Sequence, residues 1–282
     1  MTIRYFLKKI IIKTSFGWII ALLWIVPIIG LLMAAIRPYR EIVGGWWNLE
    51  PLTITLENFI KAWHGVQAQI PLYRALINGF MIAIPSTAIP LISGAMAAYV
   101  FSRFSTKIKN MLFLTIVFLQ SVPHQLVLIP LFMLYSRTGL LSTYYGVWLV
   151  HSAFALPWII LFFRNFFATL PKEFEEAARI DGLTDTQIFF KIILPISAPA
   201  IGSVIALQFL WTWNDLLFAL TFIKNPDLLP PTVVIATMRS RYQPDWSLLS
   251  AAAMLSISVP LAIYALLQKY YVRGLVGGVI KG

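Results

Sequence analysis

Gln208, Trp211, Thr212 and Asp215 lie within one apolar run at the spacing i, i+3, i+4 and i+7. On a helix that spacing puts an amide, an indole, a hydroxyl and a carboxylate on one face. Such a mixture of hydrogen-bonding groups and an aromatic plate suits a sugar ring, which offers both hydroxyls and an apolar C–H face. Gln120, His124 and Gln125 on another run could line the same cavity, and Asn214 stands beside Asp215. Asp215, His124 and His151 are the ionisable groups deep in apolar sequence, where such groups are functional candidates by default. A second reading stays open, in which Trp211 and Trp213 belong to an interfacial belt and the polar groups only join helices. Hydrolytic or redox chemistry finds no purchase. There is no cysteine, no H-E-x-x-H, and the three histidines His64, His124 and His151 are scattered. No catalytic residue and no metal set is expected.

The elements that position these residues are membrane helices. The 282 residues are 59% hydrophobic and 12% charged, and the mean hydropathy is +0.80. A soluble domain of this size cannot hide so much apolar surface. Six runs reach the roughly 20 residues of a spanning helix: 16–36, 75–101, 111–136, 144–163, 198–223 and 248–268. They are continuous and not alternating, which argues against a β-barrel. Each contains proline, a residue that kinks helices, although proline is common in membrane helices generally. The first run follows Lys8, Lys9 and Lys13 but is too long for a signal core, so it is expected to stay as a span. The expected fold is an all-α membrane protein of six transmembrane helices in one domain, with a core bundle at about 75–268. Lys and Arg favour the N-terminus, 102–110, 164–197 and the tail over the other side, fourteen against eight. Both termini are therefore expected in the cytoplasm. The net charge of +11 reflects that bias and gives no case for nucleic-acid binding.

The polar stretch 175–195 interrupts the apolar pattern. Pro171 suits a first helical position, and Glu173, Glu175 and Glu176 fall in the first turns, where the helix dipole favours them. Glu175 and Arg179 are spaced for an i,i+4 surface pair. Gly182 fits a left-handed helix end. Thr184 and Gln187 form a capping box for a second helix whose stripe of Ile188, Phe189, Ile192 and Ile193 leads back to Pro195, where the segment should end. The expectation is a stiff helical elbow; from these features alone an amphipathic connector fits equally well.

Glu176-Ala177-Ala178, then three residues, Gly182, nine residues, Ile192, one residue and Leu194-Pro195 resembles the EAA loop of ABC-importer permeases. Trp213-Asn214-Asp215 and the ending Gly274-Leu275, Gly277-Gly278, Lys281-Gly282 resemble the maltose-permease-type oligosaccharide branch of that family. The resemblance implies a type I importer permease fold and a coupling loop, 169–197, that seats on a cytosolic ATPase. It implies that Glu175, Glu176, Ala177, Ala178, Gly182, Ile192, Leu194 and Pro195 carry the coupling. Glu176 would make the polar contact, Ala177 and Ala178 would allow close approach, and Gly182 would set the turn. The implied assembly has a second, homologous permease, two ATPase subunits and an extracytoplasmic sugar-binding protein in a prokaryotic inner membrane. This chain has no G-x-x-x-x-G-K-[ST], so ATP and magnesium belong to the ATPase. The competing reading, an ion-coupled carrier, would ordinarily show several intramembrane carboxylates and similar halves, whereas this chain offers Asp215. The outer segments 37–74 and 224–247 are expected to receive the binding protein or act as lids, and the tail 269–282 to touch the ATPase or stay solvated.

Overall fold

The structure, a computed structural model, describes residues 2–104, 106–238 and 244–276, with side chains within 14–268 of that range. Gly277, Gly278, Lys281 and Gly282 of the tail, and Arg239 and Arg241 of the second outer segment, lie outside the described residues. Among the described residues the regular elements are helices, and apart from the short turns Tyr39–Ile42 and Pro226–Leu228 they are α1 (Thr2–Ala35), α2 (Glu57–His64), α3 (Leu72–Arg103), α4 (Lys107–Leu119), α5 (His124–Thr138), α6 (Tyr144–Ala168), α7 (Glu173–Ile180), α8 (Asp185–Ile196), α9 (Ala198–Trp213), α10 (Leu217–Phe222), α11 (Pro231–Thr237) and α12 (Trp246–Val276).

Thr14–Ala35, Leu72–Arg103, Tyr144–Ala168 and Trp246–Gln268 are long and apolar enough to cross a membrane. Two further pairs, α4 with α5 and α8 with α9, pass the same test but bend by 97° and 77°, so among the described residues the candidate spans number four, or up to six if each bent pair is one. The run 111–136 is thus not one straight helix. Its break lies between Leu119 and His124, where Pro123 has no N–H to donate and biases Val122 away from helical angles. The run 198–223 also breaks, at Asn214. There the Asp215 carboxylate accepts the backbone N–H groups of Phe218 and Ala219, at 3.3 and 3.0 Å, and starts α10. Short polar side chains that bond nearby backbone compete with continued helix. Pro27, Pro85, Pro90, Pro130, Pro157 and Pro260, by contrast, ride inside their helices.

The chain packs as two compact units, Met1–Leu72 with Ile235–Ile257, and Tyr73–Val234 with Ser258–Gly282. In the first, Arg37 is fully buried. It donates to the carbonyls of Asn48 and Pro51, both at 2.7 Å, and pairs with Glu41 at 3.3 Å. Asn58 donates to the carbonyls of Ala35 and Arg37. These bonds fold the segment after α1 around one cation.

In the second unit, α3, α6, α8 and α9 share a core of Ala95, Ala98, Tyr99, Ile159, Phe163, Phe167, Ile188, Ile193 and Val204. Gly94 lets α3 and α6 close in, since a Cβ there would lie 2.7 Å from Ile159. Asn78 near the start of α3 donates to the carbonyls of Asp227 and Leu229. Ser142 accepts from the N–H groups of Lys224 and Asn225. Those contacts gather 137–143 and 224–230 at one end of the unit; the elbow and the last turn of α3 meet elsewhere, at Arg103.

Replacing Arg37 by Met removes the donors of the first unit's loop and orphans its carbonyls, at a cost of about 2–4 kcal/mol. Limited proteolysis in membranes should then cleave 38–56 much faster while the chain still inserts. Unchanged cleavage would remove Arg37 as the organiser of that segment.

Candidate functional site

The elbow is built from two short helices and a tight turn. α7 closes in a Schellman arrangement, with Gly182 N–H bonding the Arg179 carbonyl and Leu183 N–H bonding that of Ala178. Gly182 has φ +84°, the left-handed region where a Cβ is penalised. Thr184 then caps α8: its N–H bonds Gln187 Oε1 at 2.9 Å and its hydroxyl accepts from Gln187 N–H at 3.4 Å. The chain is wound more widely over Phe189–Ile193, and Ser197, whose hydroxyl bonds the Ile193 carbonyl at 2.6 Å, marks the bend into α9.

Two expectations need correction, those for Pro171 and for the Glu175–Arg179 pair. Pro171 lies two residues ahead of α7 and not at its first position. Pro195 stands in the last turn of α8, one residue before its end at Ile196 and the bend at Ser197. Glu175 does not pair with Arg179. Its carboxylate is turned inward, 2.6 Å from Arg103 Nε and 3.2 Å from the Tyr99 hydroxyl, where burial and two strong donors outweigh a solvated i,i+4 contact. Arg179 instead bonds Asp185 across the turn at 2.9 Å. That hydrogen bond raises the guanidinium above its ordinary pKa, and the pair is half exposed and so stabilises little.

The elbow's residues therefore divide. Glu176, Ala177, Gly182 and Pro195 are exposed, Ile192 and Leu194 are half-buried, and Glu175 and Ala178 are buried in this chain's own core. Ala178 is consequently placed to let α7 approach its own membrane helices. Ile180, 87% exposed on the same helix as Ala177, escaped the sequence reading, although an isoleucine at i+4 from Glu176 on a polar face is a visible signal.

The second candidate site is a cavity of about 330 Å³ lined by Gln120, His124, His151, Phe154, Ala155, Trp158, Gln208, Trp211, Asp215 and Phe218. Six of the expected residues meet there: Gln120, His124, His151, Gln208, Trp211 and Asp215. The helix breaks bring them together, since Gln120 and His124 flank the α4–α5 bend and Asp215 the end of α9. Thr212 is buried behind the wall, accepting from Gln208 Nε2 at 3.1 Å, and Asn214 is exposed outside it. Trp213 is buried, packed on Phe80 and Phe209 and against Gly79. Gln125 is not in the wall.

Gln208 is committed at both ends, because its Oε1 accepts from Trp158 Nε1 at 3.1 Å. It holds Trp158 beside Trp211, and the two indoles meet edge to face at 5.2 Å between centroids. His151 Nε2 lies 3.6 Å from Asp215 Oδ2, and the His124 ring packs on Phe154 at 4.3 Å. Gln120, His124 and Trp211 are exposed and face the cavity. The α6 wall was legible as spacing, for His151, Phe154, Ala155 and Trp158 fall at i, i+3, i+4 and i+7. Among the described residues, no lysine or arginine lines the cavity. Such a wall offers stacking planes and neutral hydrogen-bonding groups around one carboxylate.

Residues 90–277, well over half of the chain, match the family described as binding-protein-dependent transport system inner membrane component. The chain belongs to that family and is a multi-pass membrane permease. A probable ABC transporter permease protein of Pyrococcus horikoshii is 45% identical over 271 residues, covering 96% of this chain and 98% of its own. The alpha-glucoside transport system permease protein of Rhizobium meliloti is 40% identical over 238 residues, 82% of this chain and 62% of its own. The crystal structure of a bacterial ABC transporter involved in the import of the acidic polysaccharide alginate contains a chain of the same fold. It superposes with a TM-score of 0.80 at 22% identity, over 96% of this chain and 99% of that one.

Replacing Gly182 by Ala forces a Cβ into a left-handed turn at about 1 kcal/mol. Cleavage by trypsin after Arg179 should accelerate about fivefold, with insertion unaffected. An unchanged rate would mean the turn tolerates another geometry.

Proposed function

We propose that this permease is one of two homologous membrane subunits of an ATP-driven carbohydrate importer in a prokaryotic inner membrane, with both termini in the cytoplasm. The observation that carries the proposal is the elbow. Its turn is fixed by a Schellman end and a capping box, its inner face is packed into the membrane unit, and Glu176, Ala177 and Ile180 are left facing outward. A stiff plug with a small, mixed surface suits seating on a cytosolic ATPase, where a loose loop would absorb the movement. ATP and magnesium would be held by two such ATPase subunits, and a sugar-loaded extracytoplasmic protein would deliver the cargo.

The cavity supports a neutral carbohydrate as cargo. Trp211 and Trp158 supply planes for the C–H face, and Gln120 and His124 supply hydrogen bonds to hydroxyls. A phosphate- or uronate-bearing cargo would meet Asp215 with no lysine or arginine among the described lining residues to offset it. The permease relatives named for alpha-glucoside and for arabinooligosaccharide transport support the same class.

The substitution Ala177→Cys, in a chain that has no cysteine of its own, tests the assignment directly. A short thiol crosslinker added to native membranes should join that position to an ATPase subunit, identified by mass spectrometry. Crosslinks to lipid alone, or to a second copy of this chain, would contradict the proposal.

A further inference from the structure

Glu175, expected among the coupling residues, instead forms a buried pair beneath the elbow with Arg103. Arg103 ends α3 and Glu175 stands in the first turn of α7, 2.6 Å apart, with side chains 5% and 3% exposed. Tyr99, one turn earlier on α3, donates to the other carboxylate oxygen at 3.2 Å and packs on Phe167 and Phe189. The carboxylate is thus gripped at both oxygens by α3. Arg103 also reaches the Leu170 carbonyl at 3.5 Å, on the stretch of chain that enters the elbow.

The same end of α3 is joined to α4. Phe101 meets Phe113 at 5.8 Å, and the Arg164 guanidinium of α6 lies over the Phe113 ring at 4.1 Å. At its far end α4 runs out at Leu119, and the next residue, Gln120, lines the cavity. A chain of contacts therefore runs from the elbow through Glu175 and Arg103 to α4 and the cavity wall. A contact between ionised groups of this burial resists separation, since either group alone would be left uncompensated.

We propose that Arg103, Glu175 and Tyr99 form a latch that delivers elbow movement to the cavity wall, with Glu175 and Arg103 as positioning residues for transport. The inference rests on the coupling reading above. Glu175 acts from inside the membrane unit, and the outward surface of the elbow does the docking. Losing the latch should leave docking and ATP hydrolysis in place and disconnect them from the cavity.

The test uses the assembled transporter in native membranes and needs no knowledge of the sugar. The substitution Gln120→Cys reports the cavity by its rate of labelling with a maleimide, before and after trapping the ATPase with ATP and vanadate. In the chain with its latch intact, trapping should change that rate by at least about fivefold, the lower end of typical coupling. In Glu175→Gln and in Arg103→Gln the change should collapse towards unity, while ATP hydrolysis and the crosslink from Ala177→Cys persist. The double variant should lose no more than either single one, as expected for partners in one interaction. If a glutamine variant fails to accumulate, Glu175→Asp, which keeps the charge but shortens its reach, should show an intermediate change. A full ATP-driven change in any of these variants that insert would overturn the latch, as would its absence from the latch-intact chain. Failure of Ala177→Cys to capture an ATPase even with the latch intact would instead overturn the coupling reading itself.

Discussion

The contact between Glu175 and Arg103 joins two parts of the molecule that obey different rules. α7 and its turn are polar and shaped by caps, while α3 is a long apolar helix whose position is set by packing. Without a strong bond at their junction, the elbow would be attached to the membrane unit mainly by Ala178, Ile188, Phe189 and Ile193. Apolar contacts of this kind hold surfaces together but are non-directional. A charged, hydrogen-bonded pair gripped from two residues of one helix fixes orientation as well. It acts beside the caps that fix the turn and the apolar contacts that carry α8 into the core.

The cavity depends on a second constraint. Backbone that leaves the helix at membrane depth is tolerated where protein or a wet cavity satisfies it. Both breaks that flank the cavity meet that condition. At α9, Asp215 takes up two N–H groups of α10, and Thr232 donates to the Asp215 carbonyl at 2.7 Å. At α4, the turn from Gln120 to Pro123 opens onto the cavity with Gln120 and His124 at its rim. The bends that complicate the span pattern are the features that bring polar side chains of α4, α5, α6 and α9 to one place.

The caps, whose partners lie within one turn, were legible in the sequence. Thr184 and Gln187 at a spacing of three, and Gly182 after a short helix, announce the caps that form. The face of Gln208, Trp211 and Asp215 was legible from helical periodicity, even though the helix stops before Asp215. Glu175 was not legible, because its partner is 72 residues away and a suitable base, Arg179, stands nearby to mislead. Pairing rules for helix surfaces assume that both groups face water, and burial decides otherwise. The break at Pro123 was hidden for a related reason: proline occurs in every apolar run, and within those runs it falls at a helix start at Pro123 and Pro199 alone.

Pulsed electron spin resonance between spin labels at Ala177 on the elbow and Ile108 on α4, both exposed, measures whether the two move as one body. In the assembled transporter, trapping with ATP and vanadate should leave the distance distribution centred where it is in the resting state. A shift approaching one helical turn, about 5.4 Å, or a marked broadening on trapping, would show that the elbow moves without α4 and that the latch does not join them.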